Sequence, residues 1–235
     1  MFDTATTIRQ IVADDYRAAA VFQKHGLDFC CGGNRPVADA CEEKGIDPRR
    51  VTTDIEQALA PASDQPRVKE WDLDFLADYI VANHHAYVRS AIQTIGAHAR
   101  KVASVHGERH PETRDIAARF EEIAAEMTSH MAKEERMLFP YIKALAAAVR
   151  EGSPAPRAPF GSIANPIRMM EAEHQSAGDT MAAIRRLSGD YTPPEDACTT
   201  YQVTYKELAA FEADLHRHVH LENNILFPRA LDLER

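Results

Sequence analysis

His130-Met131-Ala132-Lys133-Glu134-Glu135-Arg136-Met137-Leu138-Phe139-Pro140 recurs 88 residues downstream as His218-Val219-His220-Leu221-Glu222-Asn223-Asn224-Ile225-Leu226-Phe227-Pro228. Both copies read His-x-x-x-Glu-x-x-(Met/Ile)-Leu-Phe-Pro. Residues four apart on an α-helix sit one above the other, so each copy presents an imidazole and a carboxylate on one face. Among eleven histidines roughly one such pair arises by chance, and one alone would say little. Two copies with the same Leu-Phe-Pro tail are a duplication.

The duplication extends upstream. His85 precedes His130 by 45 residues and His174 precedes His218 by 44. Each half is therefore a lone histidine on one helix and a His-x-x-x-Glu pair on the next. Four imidazoles and two carboxylates on four helices match the way a bundle builds a metal site from facing helices. Six ligands in two related halves suit two metal ions, with the carboxylates free to bridge. Imidazole with carboxylate, and no thiolate, favours iron, with manganese or zinc as lesser options. Acids four residues before each paired histidine, Glu126 and Asp214, are expected to accept the distal imidazole N–H, and Glu173 beside His174 is a further acid near the site.

Other histidines compete for these roles. His216 and His220 also stand four apart, but two residues turn a helix by about 200°, so they and His218 cannot all face inward. The partner Glu222 favours His218. His84 competes with His85, and the repeat spacing selects His85. His98, His106 and His110 read as surface or hydrogen-bonded residues.

Around this core the chain is an ordinary globular one, with 45% hydrophobic and 27% charged residues. A net charge of −9 argues against nucleic acid, which is bound through lysine and arginine on phosphates. No apolar run reaches the ~18 residues of a spanning helix, and the start lacks a secretory signal pattern. Four cysteines form no disulfide framework at this length. The expected location is the cytoplasm, with reduced thiols and no membrane partner.

Strand-like alternation is absent, so the expected class is all-α. Residues 1–60 read as a small helical Cys-Cys domain, 61–70 as a linker rich in proline, and 71–235 as a four-helix bundle. Ile8 to Ala20 follow a helical period, Phe29 to Pro36 read as a loop, and Val51 to Leu59 as a short helix. The bundle helices are expected at about 73–105, from 111 through Glu134 with a kink or restart at Pro140, at 163–187 and at 195–231. Cys30 and Cys31, adjacent in a Gly-Gly loop, suit exposed thiolates for metal transfer or redox exchange; Lys24, His25 and Arg35 are the nearby cations able to lower their pKa. Cys41 and Cys198 read as small buried residues.

These motifs resemble the hemerythrin-like di-iron bundles. The stretch Phe22-Gln23-Lys24-His25-Gly26-Leu27-Asp28-Phe29-Cys30-Cys31-Gly32-Gly33 is similar to the opening of the iron–sulfur cluster repair di-iron proteins, the RIC family. So are Ser129-His130-Met131, Glu134-Glu135, Glu173-His174, Ala197-Cys198-Thr199-Thr200 and Glu222-Asn223-Asn224. The resemblance covers essentially the whole chain, with the consecutive His84-His85 as one departure. It implies ligands at His85, His130, Glu134, His174, His218 and Glu222 around two iron ions with an oxo or hydroxo bridge. It also implies repair of iron–sulfur clusters damaged by nitrosative or oxidative stress, with Cys30 and Cys31 assisting thiol or iron transfer to client iron–sulfur proteins. Reduction or scavenging of nitric oxide, and carriage or sensing of nitric oxide or oxygen, are the alternatives. Monomer and homodimer are both compatible.

Overall fold

The computed structural model describes residues 3–60 and 67–234. Their regular structure is helical, and a single isolated bridge between Thr7 and Pro36 is the one β-type pairing among them. The all-α expectation therefore holds, as a bundle preceded by a small helical region. Most of the expected linker, residues 61–66, lies outside the described residues.

The small region holds four short helices: α1 (Ile8–Asp14), α2 (Ala18–Lys24), α3 (Val37–Lys44) and α4 (Pro48–Leu59). Thr7 and Gln10 form a reciprocal cap at the start of α1, and Asp47 followed by Pro48 starts α4. The single helical period expected over Ile8 to Ala20 is two helices. Asp15 is extended and its carboxylate accepts from the Arg17 N–H at 3.0 Å, which offers the backbone a turn in place of another helical residue. Helix α3, not expected from the sequence, buries Val37, Ala40 and Cys41 and ends on left-handed Gly45.

Four rods follow. The first joins α5 (Leu73–Ile80) and α6 (Ala86–His106); the second joins α7 (Glu112–Lys133) and α8 (Phe139–Glu151); the third is α9 (Ala164–Leu187); the fourth joins α10 (Thr199–Leu221) and α11 (Phe227–Leu233). In the bundle α6 packs on α7, α7 on α9, and α10 on both α6 and α9. Each joined rod is continuous through one wider, π-helical turn: Val81–His85, Glu134–Leu138 and Glu222–Leu226. In the latter two rods a proline follows as the second residue of the next helix. Proline has no N–H and collides with the carbonyl four residues back in a regular helix. The wider turn before Pro140 and Pro228 is how both rods absorb it without breaking, the form taken by the kink expected at Pro140. Such turns recur at functional sites; here His85 closes the first, and Glu134 and Glu222 open the others.

Two apolar clusters flank that level. One contains Val88, Met127, Met131, Ala177, Leu215 and Val219; the other contains Ile80, Leu138, Phe139, Met170, Leu221 and Leu226. The six histidine and glutamate candidates fall between them on every rod, in a layer closed above and below by hydrocarbon. The first cluster also takes in Ile8, Phe22, Leu27, Phe29 and Cys30. The small region thus shares a core with the bundle. Cys41 is buried as expected, but Cys198 is exposed at the N-cap of α10, with its Sγ 3.2 Å from His106 Nε2.

The Cys-Cys loop is tied down by its own backbone. The Asp28 carboxylate accepts N–H groups from Cys30 (2.9 Å), Cys31 (3.0 Å) and Gly32 (2.8 Å). Gly33 passes so close to the turn that a Cβ would lie 2.6 Å from the Phe29 carbonyl oxygen. Gly33→Ala is therefore expected to displace the loop and destabilise the protein by about 1–3 kcal/mol. Thermal unfolding reads the loss, and faster labelling of Cys30 by a thiol reagent reads the displacement. Unchanged values for both would refute this packing.

Candidate metal centre

Four helical rods bring His85, His130, Glu134, His174, His218 and Glu222 into one layer, each at most 1% exposed. Ligand-capable atoms of His85, Glu134, His218 and Glu222 lie within 4.8 Å of one another, and so do those of His130, Glu134, His174 and Glu222. The two groups share both carboxylates. All four imidazoles turn Nε2 inward. Glu134 Oε2 stands 3.3 Å from the Nε2 of both His85 and His130. Glu222 Oε1 is 2.9 Å from His218 Nε2, and its Oε2 is 3.1 Å from His174 Nε2. His130 and His174 face each other Nε2 to Nε2 at 3.0 Å.

Two imidazole nitrogens meeting at that distance, with carboxylates beside them, is the chemistry of a metal cage. The buried atoms support the fit: among the described residues, both Glu134 oxygens, His85 Nε2 and Glu222 Oε2 have no hydrogen-bond partner. A buried carboxylate without partners is destabilising by several kcal/mol, and a cation between the groups would satisfy all of these atoms at once.

The comparisons agree with that geometry. Residues 76–230 match the family described as the Hemerythrin HHE cation binding domain. The chain belongs to the hemerythrin HHE family. Residues 4–59 match ScdA_N, a domain of unknown function (DUF542). Proteins named iron-sulfur cluster repair protein YtfE from Citrobacter koseri and Escherichia coli O157:H7 are 36% identical over 219 residues, covering 92% of this chain and 91% of theirs. One from Enterobacter sp. strain 638 is 36% identical over 226 residues, 94% of each chain.

In this hemerythrin HHE layer the outer nitrogens follow the internal repeat. The lone histidine of each half uses Nδ1 on the residue after the glutamate: His85 donates to Glu135 at 2.7 Å, and His174 to Asn223 at 2.9 Å. His130 Nδ1 donates to Glu173, the residue before His174, at 2.9 Å. The equivalent residue in the other half is His84, which stacks on His218 at 5.6 Å and donates from its own Nδ1 to Asp214 at 2.9 Å. His218 Nδ1 is buried with no hydrogen-bond partner among the described residues.

Two of the expected acceptors are thereby corrected. Glu126 is exposed: it stands eight residues from Glu134, about 80° round the helix, so with Glu134 inward it turns to solvent, and His130 Nδ1 is taken by Glu173. Asp214 orients His84 rather than His218. Glu173 is where it was expected, and it also binds Lys133. Glu135 and Asn223 were missed, although their matching positions in the repeat were readable. His85, not His84, belongs to the inward set. His216 and His220 face the small region: Phe29 meets the His216 ring at 5.6 Å, and Tyr16 meets the His220 ring at 4.9 Å.

Burial alone would lower the pKa of His85 and His130, but the neighbouring glutamates outweigh it and hold both at about 10. Burial and mutual repulsion push Glu134 up, and the histidines outweigh this and keep it below the ordinary value. Burial opposes ionisation of Glu222 too, yet His218, His174 and His85 bring it well down. Without metal, protonated imidazoles therefore compensate the buried carboxylates.

The thiols differ from expectation. Lys24 and His25 pair with Asp54, and Arg35 pairs with Glu43, so none serves the cysteines. Cys30 Sγ and Cys31 Sγ lie 3.8 Å apart, and Cys31, burial and Asp28 raise the Cys30 thiol well above its ordinary value.

Two outcomes follow. Metals bind neutral imidazole, so loading near pH 7 displaces protons held below a pKa of about 10, on the order of two per chain, and affinity rises with pH across this range. Metal titration in weak buffer with a pH indicator reads this, and zero release would contradict it. Glu173→Ala should weaken metal affinity roughly 10–100-fold, whereas Glu126→Ala should leave it unchanged. Competition with a chromophoric chelator separates the two.

Proposed function

We propose that this protein repairs iron–sulfur clusters damaged by nitrosative or oxidative stress, releasing iron from a two-iron store in the bundle to client proteins. The observation that carries the reading is the pair of four-residue groups sharing Glu134 and Glu222. His85 and His218 would hold one iron, His130 and His174 the other, with both carboxylates between them. The curated relatives carry iron–sulfur cluster repair in their name, and the resemblance spans both matched regions.

Bound there, iron is the cargo, and its two sites leave coordination positions that a closed structural site lacks. The chain's residues set how firmly it is held. Glu135, Glu173 and Asn223 fix three imidazoles with Nε2 inward, and the apolar layers exclude water. Cys30 and Cys31 offer soft sulfur ligands in the small region, and Cys31 Sγ faces the bundle, 4.0 Å from where a side chain at Gly178 of α9 would begin. A 500 Å³ cleft lined by Cys30, Cys31, Gln175 and Gly178 opens there. We assign this pair the hand-over of iron toward a client. Thiols in that role belong to the cytoplasm, where they stay reduced. Among the described residues no helix is long and apolar enough to cross a membrane.

The test is reactivation of a client. Iron-loaded protein, mixed anaerobically with an iron–sulfur enzyme whose cluster has been broken by nitric oxide, should restore its activity faster than an equal amount of free ferrous iron. The Cys30→Ser/Cys31→Ser variant should retain its iron but lose most of that advantage. Recovery no better than free iron would refute the repair reading. Full recovery with the serine variant would refute the role given to the thiols alone.

A further inference from the structure

We infer that Asn223 is a coupling residue through which the Cys-Cys loop governs how firmly the His130/His174 side of the centre holds its metal. The inference rests on the two-metal reading above and concerns which metal leaves and what releases it.

Asn223 is 2% exposed and has its two polar ends on different parts of the molecule. Its Nδ2 donates to the Cys30 carbonyl oxygen at 3.2 Å, and its Oδ1 lies 2.9 Å from His174 Nδ1. A carbonyl can only accept, so the Cys30 oxygen dictates which end of the amide faces it. The Asn223 oxygen must then face His174, and an oxygen there can only accept. His174 is thereby held with its proton on Nδ1 and its lone pair on Nε2, the atom among Glu222 Oε2 and His130 Nε2. One loop carbonyl, through one amide, sets the tautomer of one metal-facing histidine.

The internal repeat shows that this is particular to one half. The residue matching Asn223 is Glu135, whose carboxylate accepts from His85 and also binds Arg89 on the bundle's own surface. Glu135 holds its histidine with no help from the small region. Asn223 substitutes a neutral acceptor, the weaker orienter, and gains a donor that reaches Cys30. Asn224 reinforces the contact by donating to the Phe29 carbonyl at 2.9 Å. Both amides sit in the π-helical turn that begins with Glu222. Displacement of the loop, as when Cys30 and Cys31 engage metal or a client, would withdraw the partner of Asn223 Nδ2. The amide would then be free to turn, and His174 would lose the acceptor that keeps Nε2 inward.

Asn223→Asp separates the two contacts. The aspartate still accepts from His174 but can no longer donate to Cys30 and instead repels its carbonyl. Asn224→Ala frees the Phe29 carbonyl without touching a metal-facing residue. The readout is anaerobic release of ferrous iron from the full chain to a strong iron chelator, with circular dichroism confirming the fold. Wild type should release its two irons slowly. Asn224→Ala should release one of them several-fold faster, up to about tenfold, while the other keeps its wild-type rate. Asn223→Asp, whose carboxylate holds His174 more firmly and without the loop, should abolish that acceleration when combined with Asn224→Ala. Release from Asn224→Ala as slow as wild type, or the same acceleration with Asn223→Asp present, would show Asn223 to be only a local orienter and overturn the coupling. Equal acceleration of both irons would overturn the assignment to one side. A wild-type chain that takes up no iron would instead remove the two-metal reading itself.

Discussion

Two carboxylates, Glu134 and Glu222, are wholly buried and face four imidazoles across the middle of the bundle, and the rest of the fold is arranged around that placement. Ionised groups out of water are tolerated only when compensated. Protonated histidines compensate them in the metal-free chain and cations would do so in the loaded one. The apolar layers on either side keep water away and make the demand for compensation acute. The three π-helical turns supply the local geometry, each starting or ending at one of the six residues.

The repeated His-x-x-x-Glu-x-x-x-Leu-Phe-Pro segment made the four-rod architecture and the six inward residues legible, because i, i+4 pairing survives any detail of packing. Boundaries set by proline and glycine were legible for the same local reason. The helix over Val37–Lys44 was hidden behind a stretch that reads as a loop, and the break at Asp15 depends on a side chain capturing the Arg17 N–H. The hydrogen-bond acceptors were harder still. An acid four residues away along the same helix looks like a partner, but the outer nitrogens reach across to other rods, to Glu135, Glu173 and Asn223. Nothing local marks the wider turn at Val81–His85, which has no proline. The environment of Cys30 and Cys31 is not legible from the neighbouring cations, because Lys24, His25 and Arg35 pair with acids within the small region.

Duplication explains the symmetry of the six inward residues, and departures from it carry the functional detail. Glu135 and Asn223 occupy matching positions, as do His84 and Glu173. One half is braced by charged groups on the bundle itself. The other leans partly on the Cys-Cys loop through an amide. A domain that shares a core with the bundle and touches the residue orienting an inward histidine is well placed to influence metal retention, which a simple carrier would not need. The rival histidines His216 and His220 fall into place in the same picture: they pack against Phe29 and Tyr16 and help seat the small region.

The central claim is that the shared carboxylates hold two metals, and iron content tests it most directly. Protein produced with iron and purified anaerobically would be measured beside Glu134→Ala/Glu222→Ala, with metal analysis and an absorption spectrum for each. Two irons per chain in the first, and loss of both the iron and its near-ultraviolet absorption in the second, is the expected result. Zinc in place of iron, or a single metal per chain that survives removal of both glutamates, would contradict it.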